Sequence, residues 1–423
     1  MTPGPFSAAV FVKIARTRPV PVGALALHAG VHARRMLLLK SLLARIEHDA
    51  PGGAVAPEAR RRFERDWALL EQAERTHPMA ARDVIDYPLT GSWLAAALTA
   101  PDGPAFERHL DHLGGLALAA AIRAGCRHSG TRDLPAPALA LPGIGVLHCP
   151  SRTVHFDIRP GLSRLADDAG RHHAELPGSG THTSCPGPPP PPGEGPGWSA
   201  LRTLPGSGVV LDDLDPYRGA AATRAHDAYP QWARCWQQTQ DLLTATDPAR
   251  AAEIRATLRV IVPMPSDGPG STVPMSGTLR AAPRAVLARL PAGEQDMAES
   301  LVHEIHHTKL AVLHDITPLY RRVDGAVHRV GWRPDPRPLA GVLQGAYAHL
   351  ALTDLWHRSR DAAGTPESWR RRAAERLGTL WEQVGEALSI LLESDELTVA
   401  GREFTTEMAR CHARLGVAHR IRG

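Results

Sequence analysis

Residues 303–307 carry the densest chemistry in the chain: His303, Glu304, Ile305, His306 and His307 spell HExxH. Residues four apart on an α-helix stand one above the other, so His303 and His307 can offer ring nitrogens to one metal ion. Glu304 is turned by about 100° from His303 and can reach a water or a further ligand on that ion. Leu301, Val302, Ile305 and Val312 bury the helix, which puts the two histidines on the lining of a cleft. His306 lies off their shared face and is expected to play a structural or supporting part. The plain alternative is the polar face of an ordinary helix, a reading with some weight in a chain of 22 histidines.

Two peptidase patterns for a third ligand are missing. The metzincin extension needs glycine and histidine where the chain has Leu310 and Leu313, and the glutamate of the gluzincins has no counterpart before Glu367. Downstream lie His314, Asp315, Asp324, His328, Asp335, His349 and Asp354. His349 is favoured because it sits on a separate helical stretch that can cross the first. Asp315 and His314 are more than three turns from His303, too far along one helix to share its ion. Three protein ligands leave positions open for a 2-oxo acid and oxygen on a non-haem Fe(II) ion.

The segments that must position these residues read as helices over 33–46, 57–76, 83–99 and 105–124. A short hairpin or pair of edge strands is expected over 143–158. Residues 171–198, with five consecutive prolines from Pro188, break the pattern and read as an exposed connector. His172, His173, His182 and Cys185 match no metal-finger spacing there. Beyond it, strands are expected at 208–211 and 259–262, extended chain at 278–290, and helices at 229–246, 248–258, 298–313, 339–359, 367–392 and 394–415. These readings give an α+β fold, predominantly helical, with the HExxH metal helix packed with a small sheet. Its parts would be a helical portion (1–170), the connector (171–200) and an HExxH portion (201–423), with the outer two able to form one continuous fold.

Composition narrows the function classes. The chain has 423 residues, a net charge of +4 and only three lysines, so no basic surface interleaved with aromatics points to nucleic acid. Five scattered cysteines without a CxxC pair suit a reducing compartment, and the CxxxCxxC of radical-SAM enzymes is absent. No apolar run is long enough to span a bilayer, and the opening residues lack a signal-peptide pattern, so the expected location is cytoplasmic.

Residues 301–310 (LVHEIHHTKL), Asp315, 331–339 (GWRPDPRPL) and 344–350 (QGAYAHL) together resemble the HExxH-motif peptide-modification family, with weaker echoes at 34–43, 87–93, 211–218 and 276–278. The proline-rich connector departs from that likeness. The resemblance implies an Fe(II)- and 2-oxoglutarate-dependent peptide β-hydroxylase that uses O2 to tailor a ribosomally made precursor peptide, in some cases beside a radical-SAM maturase. It places metal ligands at His303, His307 and His349, and gives Glu304 a supporting role rather than that of a peptidase base. The cation for the 2-oxoglutarate distal carboxylate would be Arg337 or Arg333, either of which reads equally well as a surface ion pair. Ser276 and Thr278 would line the substrate groove or simply tie down a loop. Lys309 points away from the metal. The alternatives are a zinc metallopeptidase on the same helix and a catalytically idle protein that holds the precursor.

Overall fold

A computed structural model describes residues 7–19, 21–48, 55–177, 196–214, 228–264, 275–321 and 326–420. The architecture is α+β and predominantly helical. Four helices of the N-terminal portion, Pro57–Thr76, Pro78–Ile85, Pro88–Thr99 and Pro104–Leu110, each open on a proline. Proline has no amide hydrogen to lose at the first helical position, and its ring resists continuation from the residue before. That is why the single helix expected over 83–99 is two helices parted at Asp86 and Tyr87. The one expected over 105–124 is divided at Asp111, where no proline stands, and His112–Ala124 then runs almost wholly buried.

Two antiparallel sheets pack beside these helices. One has strands His128–Asp133, Thr153–Ile158, Leu162–Asp167 and His173–Pro177; the other has Ala138–Leu141, Gly145–His148 and Trp198–Ala200. The hairpin expected over 143–158 does not form, because its two strands belong to different sheets and the chain turns between them at Arg152, whose φ is +59°. The connector is also shorter than expected: its ends are strands, His172 is bonded to Asp167, and the backbone amide of His173 donates to the Pro196 carbonyl. Residues 178–195, including His182, Cys185 and the proline run, lie outside the described residues.

The C-terminal portion is built on a five-stranded sheet in the order Ser276–Gly277, Ala285–Ala288, Val260–Pro263, Val210–Leu211, Arg202–Thr203. Its middle three strands are parallel and apolar, as strands covered on both faces must be. Only Ala285–Ala288 of the stretch expected to be extended at 278–290 is a full strand. Against this sheet packs the helix Glu294–Ile316, which contains the HExxH; Leu301, Val302 and Ile305 share a core with Ile261, Val286 and Ala288. A second long helix, Leu339–Asp361, lies against it, and Glu367–Glu393 and Val399–Arg420 complete the bundle. A ribbon of Val327–Val330 and Arg333–Pro338 leads into Leu339–Asp361, so the proline-rich segment is a strand of a two-stranded hairpin. Its alternating prolines are tolerated because each strand of such a ribbon keeps one free edge.

The cores ignore the expected division at the connector. Phe11, Ile14, Leu27 and Val31 pack with Leu313, Tyr347, Leu388 and Phe404, whereas Trp198 and Ala200 belong to the N-terminal core. None of the described helices is long and apolar enough to cross a membrane.

Candidate metal centre

His303 and His307 do share one face, and their Nε2 atoms stand 2.9 Å apart. One of the two must carry a proton unless a cation lies between them. Nitrogens bound at about 2.1 Å on adjacent octahedral positions would be separated by about 3 Å, so the pair is already spaced as cis ligands are. His349 comes from the crossing helix, its ring centroid 5.1 Å from that of His303. The sequence-expected trio is therefore brought together, as a close pair with a third ring beside it. Among the described residues no group of three or more His, Cys, Asp or Glu side chains closes into a complete ligand set.

The tautomers of two rings are prepared. His307 Nδ1 is 3.0 Å from the Gln344 side-chain oxygen and His349 Nδ1 is 2.8 Å from the Gly345 carbonyl. Each acceptor requires Nδ1–H, which leaves Nε2 with its lone pair for a metal. Burial lowers all three imidazoles: His303 well below its ordinary value, with His307 and His349 adding to the effect, His307 less far, and His349 to about 4. Neutral imidazole is the form a metal binds. Trp332, at the turn of the proline-rich ribbon, stacks on His349 with centroids 4.5 Å apart. Gly345 makes room for it, since a Cβ there would lie 2.6 Å from the indole.

Glu304 is buried beside the pair. Ser276 Oγ donates to its Oε1 at 2.9 Å and Thr278 also bonds to the carboxyl, while Oε2 is buried with no partner among the described residues. Burial pushes this carboxyl up to about 7 against those two hydroxyls. Ser276 and Thr278 thus hold the glutamate. The orphaned Oε2 would accept from a water beside the histidines, and the two rings with Nδ1 bonded keep the Nε2 lone pair that a divalent ion needs.

His306 is structural, as its position implied: Nδ1 is bonded to the Val302 carbonyl and Nε2 faces Arg250 at 3.2 Å. Lys309 points away from the histidines into a buried ionic layer with Glu253 (2.6 Å), which also pairs with Arg250 (2.6 Å); Arg250 reaches on to Asp354 (3.2 Å) and the Thr17 carbonyl (2.8 Å). Asp354 is thereby committed to arginine. His314 stacks on Tyr320 and accepts from the Leu319 amide.

Arg333 and Arg337 both pair with Asp335 on the ribbon, at 2.8 and 3.2 Å, and Arg333 is exposed. Neither lines the cleft of about 240 Å³ that opens beside His307. That cleft is walled by Arg280, Thr308, Asp315 and Gln344 among others. Arg280, Gln344 and Trp332 went unassigned in the sequence. No spacing rule links Arg280 to the HExxH, and Gln344 and Trp332 gain meaning only once the helices cross. No protein-family model matches the chain, and no curated protein matches it in sequence.

Proposed function

We propose that the chain is an Fe(II)- and 2-oxoglutarate-dependent oxygenase that hydroxylates a peptide, with His303, His307 and His349 holding the iron on a helix packed against the small sheet. The observation that carries this reading is the place of His349, whose ring comes from the crossing helix and stands 5.1 Å from that of His303, where a peptidase of the common patterns would place a glutamate or a motif histidine. Fe(II) with 2-oxoglutarate and O2 supplies the oxidising power to hydroxylate a peptide Cβ, releasing succinate and CO2. The protein's own part is positional. Gln344 and the Gly345 carbonyl keep two rings presenting Nε2, Trp332 fixes the plane of His349, and Glu304 Oε2 accepts from a water or polar group near the metal. The likeness of residues 301–350 to peptide-modifying HExxH proteins supports the substrate class, a ribosomal precursor peptide, and names a radical-SAM maturase as the co-worker to test.

Zinc peptidase chemistry is the second reading, favoured by one observation: a buried carboxyl held near 7 beside two histidines suits a general base. Anaerobic loading of the full chain with Fe(II), followed by O2, 2-oxoglutarate and candidate precursor peptide, separates the two. The oxygenase gives succinate and a peptide heavier by one oxygen atom. Peptide cleavage with zinc, indifferent to O2 and 2-oxoglutarate, would establish the peptidase.

A further inference from the structure

Arg284 holds a φ of +75°, a backbone region that glycine enters freely and a residue with a side chain enters only under strain. Strain of this kind persists where the surroundings enforce it, and it gathers at ligand sites. The residue stands just before the strand Ala285–Ala288, and Arg259 just before its parallel neighbour Val260–Pro263, with Val260 and Ala285 in register. The Arg284 carbonyl accepts from the amides of both Arg259 and Val260, at 2.9 and 3.2 Å. The two arginines are thereby set side by side at one end of the sheet.

Their charges are only partly met. Arg259 Nη2 donates to both oxygens of Asp83 at 2.9 Å, and Arg123 makes a looser contact with the same carboxylate at 3.7 Å. Asp86, one turn on, is taken by Arg82 at 3.1 Å and by His32 at 2.9 Å. Among the described residues Arg284 has no carboxylate within ion-pair distance, and its side chain makes one hydrogen bond, from Nε to the Thr257 carbonyl at 3.1 Å. That bond caps the C-terminal end of the helix Pro248–Thr257 and occupies Nε alone, leaving both Nη groups unused. Four guanidinium groups thus share two carboxylates. Burial, with Arg259 adding to it, pulls the Arg284 guanidinium down to about 10, although Asp86 and Asp83 act the other way. The corner is open to solvent, with the side chains of Arg123, Arg259 and Asp83 37%, 27% and 42% exposed.

We propose that Arg284 and Arg259 form a site for a phosphate group, seated on the unused Nη groups of Arg284 with Arg259 supplying the neighbouring charge. A guanidinium fork offers two parallel donors that match two oxygens of such an anion. A dianion also cancels the surplus of the four arginines, which a neutral ligand does not. Arg259 is already turned to Asp83, so the Arg284 fork makes the direct contact. The site shares no residue with the histidine group or with the cleft beside His307, and it stands whether or not those histidines hold a metal.

Calorimetric titration of the full chain with inorganic phosphate and with glycerol phosphate, against sodium chloride at matched ionic strength, tests this. The wild type should bind phosphate. Arg284→Gly, which suits the left-handed backbone, should bind it about 10- to 100-fold more weakly, the loss expected for charge-assisted hydrogen bonds. Arg284→Lys keeps the charge without the fork and should fall between the two. In phosphate-free buffer Arg284→Gly should melt higher than the wild type, having shed the strain and an unpaired charge, and added phosphate should close the gap by raising the wild type alone. Glycerol phosphate bound through Arg284 identifies a phosphomonoester as the ligand, whereas inorganic phosphate bound alone identifies the free ion; either keeps the site. No phosphate binding by the wild type, equal binding by Arg284→Gly, or a response matched by chloride would overturn it. A variant that melts lower than the wild type yet responds equally to phosphate would mark Arg284 as a helix cap only.

Discussion

His303 and His307 stand close enough for one cation to replace the single proton between their Nε2 atoms. His303→Ala or His307→Ala should therefore abolish metal retention, measured by metal analysis of protein loaded and desalted under argon; retention at wild-type stoichiometry would disprove the site. If the proposed function holds, His349→Ala should lose iron and succinate formation with the circular dichroism unchanged, because beyond its donor role in that proposal the ring makes only a stack on Trp332 and a bond to the Gly345 carbonyl. Gln344 touches no substrate in this scheme, yet it fixes the His307 tautomer. Gln344→Ala should weaken metal binding about 10- to 100-fold while Gln344→Glu, which still accepts from Nδ1–H, restores most of it. Equal loss in both variants would show that Gln344 acts by packing alone.

The helices and ribbon place those residues through contacts far from the histidines. Gly345 lets the Trp332 indole lie against the crossing helix, and an added methyl group would stand 2.6 Å from that ring. Gly345→Ala should cost about 1–3 kcal/mol by overpacking and reduce metal retention as Trp332 shifts off His349. Wild-type retention after that change would mean the stack does not set the ring. On the opposite side, Lys309 and Arg250 clamp Glu253 between the HExxH helix and Pro248–Thr257. Lys309→Met leaves the carboxylate with one cation, and about 3 kcal/mol of stability should be lost, at the low end for a broken buried pair because Arg250 remains. Denaturant unfolding monitored by tryptophan fluorescence reads that difference.

Over the whole molecule the ionic layer predicts a pH dependence. Burial raises the Glu253 carboxyl, but Lys309 and Arg250 outweigh it and hold the group below its ordinary 4.5. Burial also lowers Lys309, so the gain falls on the doubly paired carboxylate rather than on the ammonium. A depressed carboxylate stabilises the fold fully above its unfolded value, and that contribution is lost as pH falls through the folded one. Stability should therefore decline below about pH 4.5, and Glu253→Gln should flatten that part of the profile; an unchanged slope would remove Glu253 from the account. The cores carry a second whole-molecule expectation. Since Phe11, Ile14, Leu27 and Val31 complete the C-terminal core, a 201–423 fragment should aggregate, whereas restoring residues 7–48 in trans should recover soluble protein.

The HExxH helix was legible because its information is local: a four-residue spacing fixes which side chains share a face whatever packs around them. The long helices at 57–76, 229–246 and 367–392 were legible for the same reason, with apolar residues recurring at helical spacing. Breaks set by proline at 88 were present in the chain but overridden by the continuing apolar pattern when the helix was read as one. The small antiparallel sheets were mostly missed, since the strands are short and their pairing depends on partners up to dozens of residues away. Residue type and spacing alone thus determined that His303 and His307 share one helix face and singled out His349 as the residue to look for beside them. Only the tertiary structure decided that His349 meets that pair, that Gln344 and Trp332 orient the rings, and that Arg280 rather than the proline-flanked arginines faces the cleft. Each of those depends on the crossing of two helices and on a loop held by Arg35, which donates to the Ala281 and Pro88 carbonyls from the far N-terminal helix. Such contacts join residues separated by as many as 246 positions, a distance over which no periodicity in the chain carries information.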